Sequence, residues 1–216
     1  MSKSKLTGIA PSDITDHFGV DAFRYYFLRA IPFGSDGSFS WEDMSARYTS
    51  ELANDFGNLA SRLAAMIEKY CEGKIPAVAQ DSGLSAALTE TVAKADAAMV
   101  ALDFQGGINA VMDFCKRVNG FVTEKQPWIL AKDPANQAEL EAVLYNTAES
   151  LRALAVLLHP VMPATTEILW QSIGAQEVLG DISKQVISGV STWGQLPQGA
   201  TVTKTPVLFP RLEVKE

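Results

Sequence analysis

Apolar residues recur every three or four positions in four separate stretches of this chain, and this periodicity constrains the fold most. The spacing places one apolar stripe along each helix, and four such helices joined by short connections form an antiparallel bundle. We therefore predict a mainly α fold. The stripes are Leu52, Phe56, Leu59, Leu63, Met66 and Tyr70; Leu88, Val92, Ala95, Met99 and Leu102; Ile108, Val111, Cys115, Val118 and Val122; and Leu140, Leu144, Thr147, Leu151, Leu154 and Leu158.

The segments on either side of the bundle have a different composition. Ser40 and Asp43 form a capping-box-like pair at the start of the first long helix, and Gly73 marks its end. Residues 1–40 combine the helix-like "DAFRYYFLRA" with the turn "GSDG" and the strand-like "GSFS", which predicts a small α+β unit. Residues 174–216 are rich in Val, Ser, Gly and Pro and end in an apolar stretch that we expect to pack back on residues 41–173.

Charge and hydropathy exclude several classes of protein. A net charge of -7 argues against a protein that binds nucleic acid by covering phosphates with Lys and Arg, but a local site remains compatible with it. The longest aliphatic run, residues 153–158, is far shorter than the roughly 20 residues of a membrane helix. Polar residues follow the first lysines where a signal peptide would be apolar, so we expect a cytoplasmic protein without a membrane partner.

The residue types that commonly bind metals are isolated in this sequence. Cys71 and Cys115 lack the paired spacing of a zinc site, and each falls within an apolar helical pattern, so we expect two buried thiols and no metal. The histidines and three of the tryptophans have no partners in sequence, and we assign them to structure. These are His17, His159, Trp41, Trp170 and Trp193.

The N-terminal "MSKSK" is the first candidate functional segment. Lys3, with Ser2 and Ser4, offers the ammonium and hydroxyl groups with which a mobile loop contacts phosphate oxygens. A frayed, solvated terminus is the competing interpretation.

Two further candidates are a helix face and a tryptophan. Asn58 and Arg62 are four residues apart and share a helix face with Lys69. The amide of Asn58 and the guanidinium of Arg62 could bind base edges, but the same face could also be an ordinary solvated surface. In "KQPWILAK", Pro127 should end the preceding helix and present Trp128 between Lys125 and Lys132. This tryptophan could stack on a base, or it could plug the bundle beside the core-like Ile129 and Leu130.

Several motifs together resemble one family. "MSKS" looks like the KMSKS loop of class I aminoacyl-tRNA synthetases without its first Lys. "DAFRYYFLRAIPFGSDGSFS", "ELANDFGNLASR", "KQPW" and "LFPRLE", in this order, resemble the methionyl-tRNA synthetases within that class. The resemblance covers nearly the whole chain.

The resemblance implies roles for particular residues. Lys3, with Ser2 and Ser4, would belong to the catalytic loop that stabilises the pyrophosphate of ATP, with Mg²⁺, in the full-length enzyme. Residues 1–40 would hold this loop and a stem-contact fold, and residues 41–173 would be the anticodon-binding domain. Asn58, Arg62 and Trp128 match the positions that read the CAU anticodon of tRNA(Met), with Trp128 stacked on its first base.

The sequence also departs from the family pattern. It contains no HIGH-type motif and no nucleotide-binding half, so we expect the C-terminal portion of a methionine–tRNA ligase, inactive alone and binding no ATP by itself. We expect a monomer. The alternatives are a stand-alone four-helix bundle that binds a protein, or the anticodon-binding domain of another class I synthetase.

Overall fold

A computed structural model describes residues 8–77 and 83–212 of the chain. This part is helical, with irregular connections and single turns of 3₁₀-helix at Pro134–Asn136 and Ile182–Lys184. The α-helices are α1 (Pro11–Phe18), α2 (Val20–Ala30), α3 (Trp41–Arg47), α4 (Asn58–Tyr70), α5 (Leu84–Val100), α6 (Phe104–Lys125), α7 (Pro127–Leu130), α8 (Gln137–Leu158), α9 (Pro163–Ser172), α10 (Ala175–Leu179) and α11 (Ile187–Val190).

The first predicted long helix is a continuous rod of three segments, and its middle segment is not an α-helix. The Ser40 hydroxyl accepts a hydrogen bond from the Asp43 N–H at 3.2 Å, which confirms the predicted cap at the start of α3. Between α3 and α4, Tyr48–Gly57 is wound as a π-helix, a wider winding that is uncommon and often found at functional sites. The rod ends at Tyr70, before Gly73, whose φ of 71° reverses the chain.

The bundle is formed by this rod together with α5, α6 and α8, as the periodicity predicts. The stripes of α6 and α8 are buried throughout. The predicted stripe of α5 extends two residues beyond the helix. Helix α5 ends at Val100, and Leu102, the last residue of the predicted stripe, is 52% exposed with a φ of 60°. Among the described residues, no helix is both long and apolar enough to cross a membrane.

Helix α8 is the centre of the bundle and carries a buried ion pair. Arg152 Nε donates to Glu149 Oε1 at 2.8 Å, and both side chains are almost fully buried. The Arg152 guanidinium also donates to the carbonyl of Val190 at 3.0 Å, while the Glu149 carboxylate accepts N–H groups of residues 194–196. The pair therefore fixes the segment after α11 against α8.

The N-terminal part contains no strand within residues 8–40, so the β component of the predicted α+β unit is not confirmed there. A strand needs a neighbouring strand to satisfy its N–H and C=O groups, and the described chain offers none there. The strand-like "GSFS" is instead irregular, and Phe39 packs edge-on against Tyr26, with ring centroids 5.7 Å apart. The predicted helix in this part is confirmed as α2.

Helix α2 is held to the bundle at the turn between α8 and α9. Arg24 donates to the carbonyls of Val161 and Pro160 at 2.9 and 2.7 Å. The Asp21 carboxylate accepts the Thr165 N–H at 2.6 Å, near the N-terminus of α9. A negative charge is favourable there because the first helical N–H groups are otherwise unpaired.

The chain after α11 contacts three parts of the bundle. The Ile75 N–H donates to Ala200 C=O at 2.9 Å, and the Thr203 N–H donates to Ser172 C=O at 2.8 Å. The Tyr48 hydroxyl donates to Pro210 C=O at 2.8 Å, so the last described residues lie beside the π-helical segment.

Breaking the buried pair on α8 should destabilise the protein strongly. Glu149→Ala leaves the Arg152 charge buried without its carboxylate, which typically costs about 3 to 5 kcal/mol of unfolding free energy. Glu139→Ala is the matched control, because Glu139 pairs with Lys125 at the surface and such pairs contribute about 0 to 1 kcal/mol. Urea unfolding of both variants measures the difference, and equal losses would contradict this account of α8.

Candidate nucleic-acid interface

A break between α6 and α7 places Trp128 away from the axis of α6. Helix α6 ends at Lys125, Gln126 has the left-handed φ of 46°, and Pro127 begins the single turn of α7. The predicted helix end before Pro127 is confirmed. Pro lacks an N–H and restricts the residue before it, so α6 cannot continue through this point without strain.

Arg62 and Trp128 are brought into contact by this arrangement. The guanidinium carbon of Arg62 lies 5.4 Å from the centre of the Trp128 ring, within the range of a cation–π interaction. Arg62 is half-buried and pairs with no carboxylate among the residues that the structure describes. Its hydrogen-bond donors therefore remain available to a ligand.

The Trp128 side chain does not plug the bundle. It is 36% exposed, and the adjacent Ile129, which the plug interpretation treated as core-like, is 45% exposed. Residues in a plug would be shielded by the ends of several helices. The exposed part of the ring is instead open to a stacking partner.

Asn58 completes the group, one turn before Arg62 on α4. Residues four apart on a helix have Cβ atoms about 5 to 6 Å from each other, so the two side chains are neighbours. Asn58 is exposed, and its side-chain amide has no hydrogen bond within residues 8–77 and 83–212. The amide supplies both a donor and an acceptor beside the donors of Arg62.

The two lysines that flank Trp128 in sequence differ in their surroundings. Lys125 pairs with Glu139 at 3.4 Å, which offsets part of its charge. Lys132 is exposed and has no ion pair within the described part of the chain. Together these residues form an aromatic surface with unpaired cationic donors, in a chain of net charge -7.

Comparison with known proteins identifies the family. Residues 1–64 match the family described as tRNA synthetases class I (M), and residues 81–191 match the family described as the anticodon-binding domain of tRNA ligase. The methionine–tRNA ligase of Streptomyces coelicolor is 60% identical over the whole chain, and that of Bacillus subtilis is 40% identical. The chain belongs to the class I methionyl-tRNA synthetase family.

Solved structures of the same family share this fold. The methionyl-tRNA synthetase of Mycobacterium tuberculosis bound by methionyl-adenylate has a TM-score of 0.86 and 30% identity over 97% of this chain, which corresponds to 41% of that chain. The free form of that enzyme has a TM-score of 0.84 and 29% identity over 96% of this chain and 42% of that one. The chain spans 41% of the Streptomyces relative and 32% of the Bacillus subtilis relative.

Further residues, which the apolar periodicity did not single out, lie beside Asn58. A groove of about 300 Å³ is lined by Asn54 of the π-helical segment, Asn58 and Ser61 of α4, and Phe209 of the C-terminal stretch. An added Cβ at Gly57 would lie 3.1 Å from Leu52 O, a tight contact within the π-helical segment, and 3.7 Å from the Phe209 ring, an ordinary van der Waals distance. The spacing of Asn54 and Asn58 was the available signal.

A second group missed by the sequence reasoning fixes the π-helical segment to α2. The Glu51 carboxylate accepts from the Tyr25 hydroxyl at 2.5 Å and from Arg29 and Arg47 at 3.3 and 3.4 Å. Burial and the adjacent Glu51 charge raise the pKa of Tyr25 above its usual value, so its hydroxyl remains a donor. Arg47 and Glu51 are also four residues apart in sequence, a spacing that could have indicated this pair.

The other residues named in the sequence analysis are either packed within the protein or lie outside the described part of the chain. Ser2, Lys3 and Ser4 lie outside the described residues. Cys115 is buried, and burial raises the pKa of its thiol to about 12. Cys71 is only half-buried, contrary to expectation, because it follows the last turn of α4; burial still raises its pKa to about 11.

The isolated histidines and tryptophans have varied packing. Trp170 is buried and donates from Nε1 to Gly180 C=O at 2.8 Å, and His159 Nδ1 lies 2.9 Å from Thr166 Oγ1. Trp41 is 38% exposed and stacks on Phe18. No group of three or more His, Cys, Asp or Glu residues in residues 8–77 and 83–212 is arranged to hold a metal ion.

Truncating Trp128 and Trp170 should have very different effects on stability. Trp170→Ala empties a fully buried site and should cost about 3 to 5 kcal/mol, whereas Trp128→Ala removes a partly exposed ring and should cost about 1 kcal/mol. Thermal unfolding followed by circular dichroism measures both. A loss for Trp128→Ala as large as that for Trp170→Ala would restore the interpretation of Trp128 as a core plug.

Proposed function

We propose that this chain is the anticodon-binding portion of a methionine–tRNA ligase, which in full length ligates methionine to tRNA(Met) using ATP. The contact of Arg62 with the exposed Trp128 ring carries this proposal, because it assembles a stacking surface and unpaired donors beside Asn58. The family membership supports it. The chain spans well under two thirds of its relatives, so the activity of the whole enzyme is part of the proposal.

The chemistry of the three side chains suits a base of a single-stranded loop. An aromatic side chain that stacks on a base contributes about 1 to 3 kcal/mol, and Arg62 behind the ring adds charge that favours the polyanion. Cytosine carries an amino donor beside ring and carbonyl acceptors. The acceptor of Asn58 and the donors of Arg62 and Asn58 can satisfy such an edge. The proposed ligand is the CAU anticodon, with its first base on Trp128.

The proposal divides the chain into three parts with different tasks. Residues 1–40 would carry the end of the catalytic loop and the contact with the tRNA stem, residues 41–173 the anticodon-binding bundle, and residues 174–216 a tail on that bundle. The hydrogen bonds of α2 and of the C-terminal segment to the bundle support a fixed relation between these parts.

Catalysis would take place only in the longer enzyme. There, Lys3 with Ser2 and Ser4 would stabilise charge on the pyrophosphate of ATP, which is bound with Mg²⁺. This chain alone would bind no ATP and form no methionyl-adenylate. We propose a cytoplasmic monomer without a membrane partner. No observation favours a stand-alone protein-binding bundle, and the relatives support the methionine enzyme over other class I synthetases.

The proposed function is tested by titrating the chain with two stem-loop RNAs that differ only in the anticodon. We expect the RNA with CAU to bind more tightly than the RNA with a scrambled anticodon, by about tenfold or more, because each mismatched base costs about 1 to 3 kcal/mol in specific recognition. Electrophoretic titration at fixed salt measures both dissociation constants. Equal binding of the two RNAs would overturn anticodon recognition.

Removing the Trp128 ring should weaken RNA binding while the protein stays folded. Trp128→Ala should reduce the affinity for the CAU stem-loop about 5- to 150-fold through lost stacking, and Trp128→Phe should give an intermediate value. Trp41→Ala provides a control, since Trp41 has similar exposure and stacks on Phe18 in the N-terminal part. Unchanged affinity in a folded Trp128→Ala protein would remove Trp128 from the site.

A further inference from the structure

Helix α4 carries a second contact between a cation and an aromatic ring. The ammonium nitrogen of Lys69 lies 5.2 Å from the centre of the Tyr70 ring. Lys69 is exposed, Tyr70 is half-buried, and Lys69 has no ion pair with any carboxylate of the described residues. The arrangement repeats the chemistry of Arg62 and Trp128.

The two contacts lie in line along one helix. Lys69 follows Arg62 by two turns on nearly the same face, at a rise of about 10 Å. Stacked nucleotides rise about 3.4 Å each, so this distance corresponds to about three nucleotides of a stacked strand. A single-stranded loop with one base on Trp128 can therefore place at Lys69 the phosphate of a nucleotide about three positions away.

The charges around Lys69 explain why a polyanion would need this contact. Glu68 and Glu72 are close to Lys69 in sequence and exposed, and burial together with the charge of Glu141 of α8 raises the pKa of the Cys71 thiol. These carboxylates would repel a nucleic-acid backbone along this end of α4. A lysine that contacts a ring instead of a carboxylate keeps its charge available to offset that repulsion.

We propose that Lys69, held by its contact with the Tyr70 ring, binds a backbone phosphate about three nucleotides from the base on Trp128. The proposal rests on the proposed anticodon-binding function and extends that site towards the C-terminal end of α4. Lys69 adds affinity that does not depend on base identity, because a phosphate contact carries no sequence information. Anticodon discrimination stays with Asn58, Arg62 and Trp128.

The salt dependence of RNA binding tests this assignment. For Lys69→Ala we expect the slope of log affinity against log salt concentration to become shallower by about 0.7, the value for one phosphate contact in a single strand. Affinity at moderate salt should fall about two- to fivefold for both the CAU and the scrambled stem-loop. Lys94→Ala is the matched control, an exposed lysine of α5 that pairs with Glu90, and it should leave the slope unchanged.

Substitutions of Tyr70 separate the role of the ring from that of the charge. Tyr70→Phe keeps an aromatic face for Lys69 and should retain the wild-type slope, whereas Tyr70→Leu should lose part of it. An unchanged slope in Lys69→Ala would overturn the proposal, as would a selective loss of affinity for CAU. If the wild type bound both RNAs equally, the proposal of anticodon recognition would be overturned, while the salt dependence of Lys69→Ala would still test the phosphate contact. Absence of RNA binding would overturn both proposals.

Discussion

The burial of α8 on all its faces is the constraint on which the rest of the bundle depends. Residues 143–156 are buried without interruption, including Asn146, Glu149 and Arg152. A helix in this position must satisfy its polar groups inside the protein, because each unpaired buried charge is costly. Arg152 and Glu149 meet this requirement by binding each other and the segment after α11, so satisfying α8 also fixes part of the C-terminal region.

The proposed RNA-binding surface lies where two neighbours of α8 meet. Helix α4 and the break between α6 and α7 both pack against α8, and this places Arg62 over Trp128. The left-handed Gln126 followed by Pro127 turns the chain sharply at this point. The packed helices therefore hold an exposed ring and unpaired donors together without a ligand, and such preorganisation reduces the conformational entropy lost on binding.

The long helices could be predicted from sequence because each carries an apolar stripe whose period matches the α-helix, although the stripe of α8 did not show that its other faces are buried too. The Ser40 cap and the helix end before Pro127 were also predictable, because capping and the effect of proline both act within a few residues. The π-helical winding of Tyr48–Gly57 could not be predicted from local sequence, and its residue Glu51 makes contacts with the distant Tyr25 and Arg29 that no local pattern shows. The expected strand near "GSFS" is not confirmed, because a strand also requires a partner elsewhere in the chain.

The interface was only partly accessible to sequence reasoning. Spacing placed Asn58 and Arg62 on one face, and both the local pattern around Pro127 and the family resemblance indicated Trp128, but neither showed that Arg62 and Trp128 touch. The spacing of Asn58 and Arg62 also fitted a solvated surface, and the pattern around Trp128 also fitted a plug of the bundle. The exposed faces of Trp128 and Ile129 favour the interface interpretation, since neither side chain is covered by the ends of the helices.

The central claim is that Arg62 and Trp128 bind RNA as one unit, and a double-mutant cycle tests it most directly. Affinity for the CAU stem-loop is measured for the wild type, Arg62→Ala, Trp128→Ala and the double variant. Because the two side chains are in contact, we predict a coupling energy of about 0.5 to 3 kcal/mol, with the double variant losing less than the sum of the single losses. Losses that add to within about 0.3 kcal/mol would contradict the account.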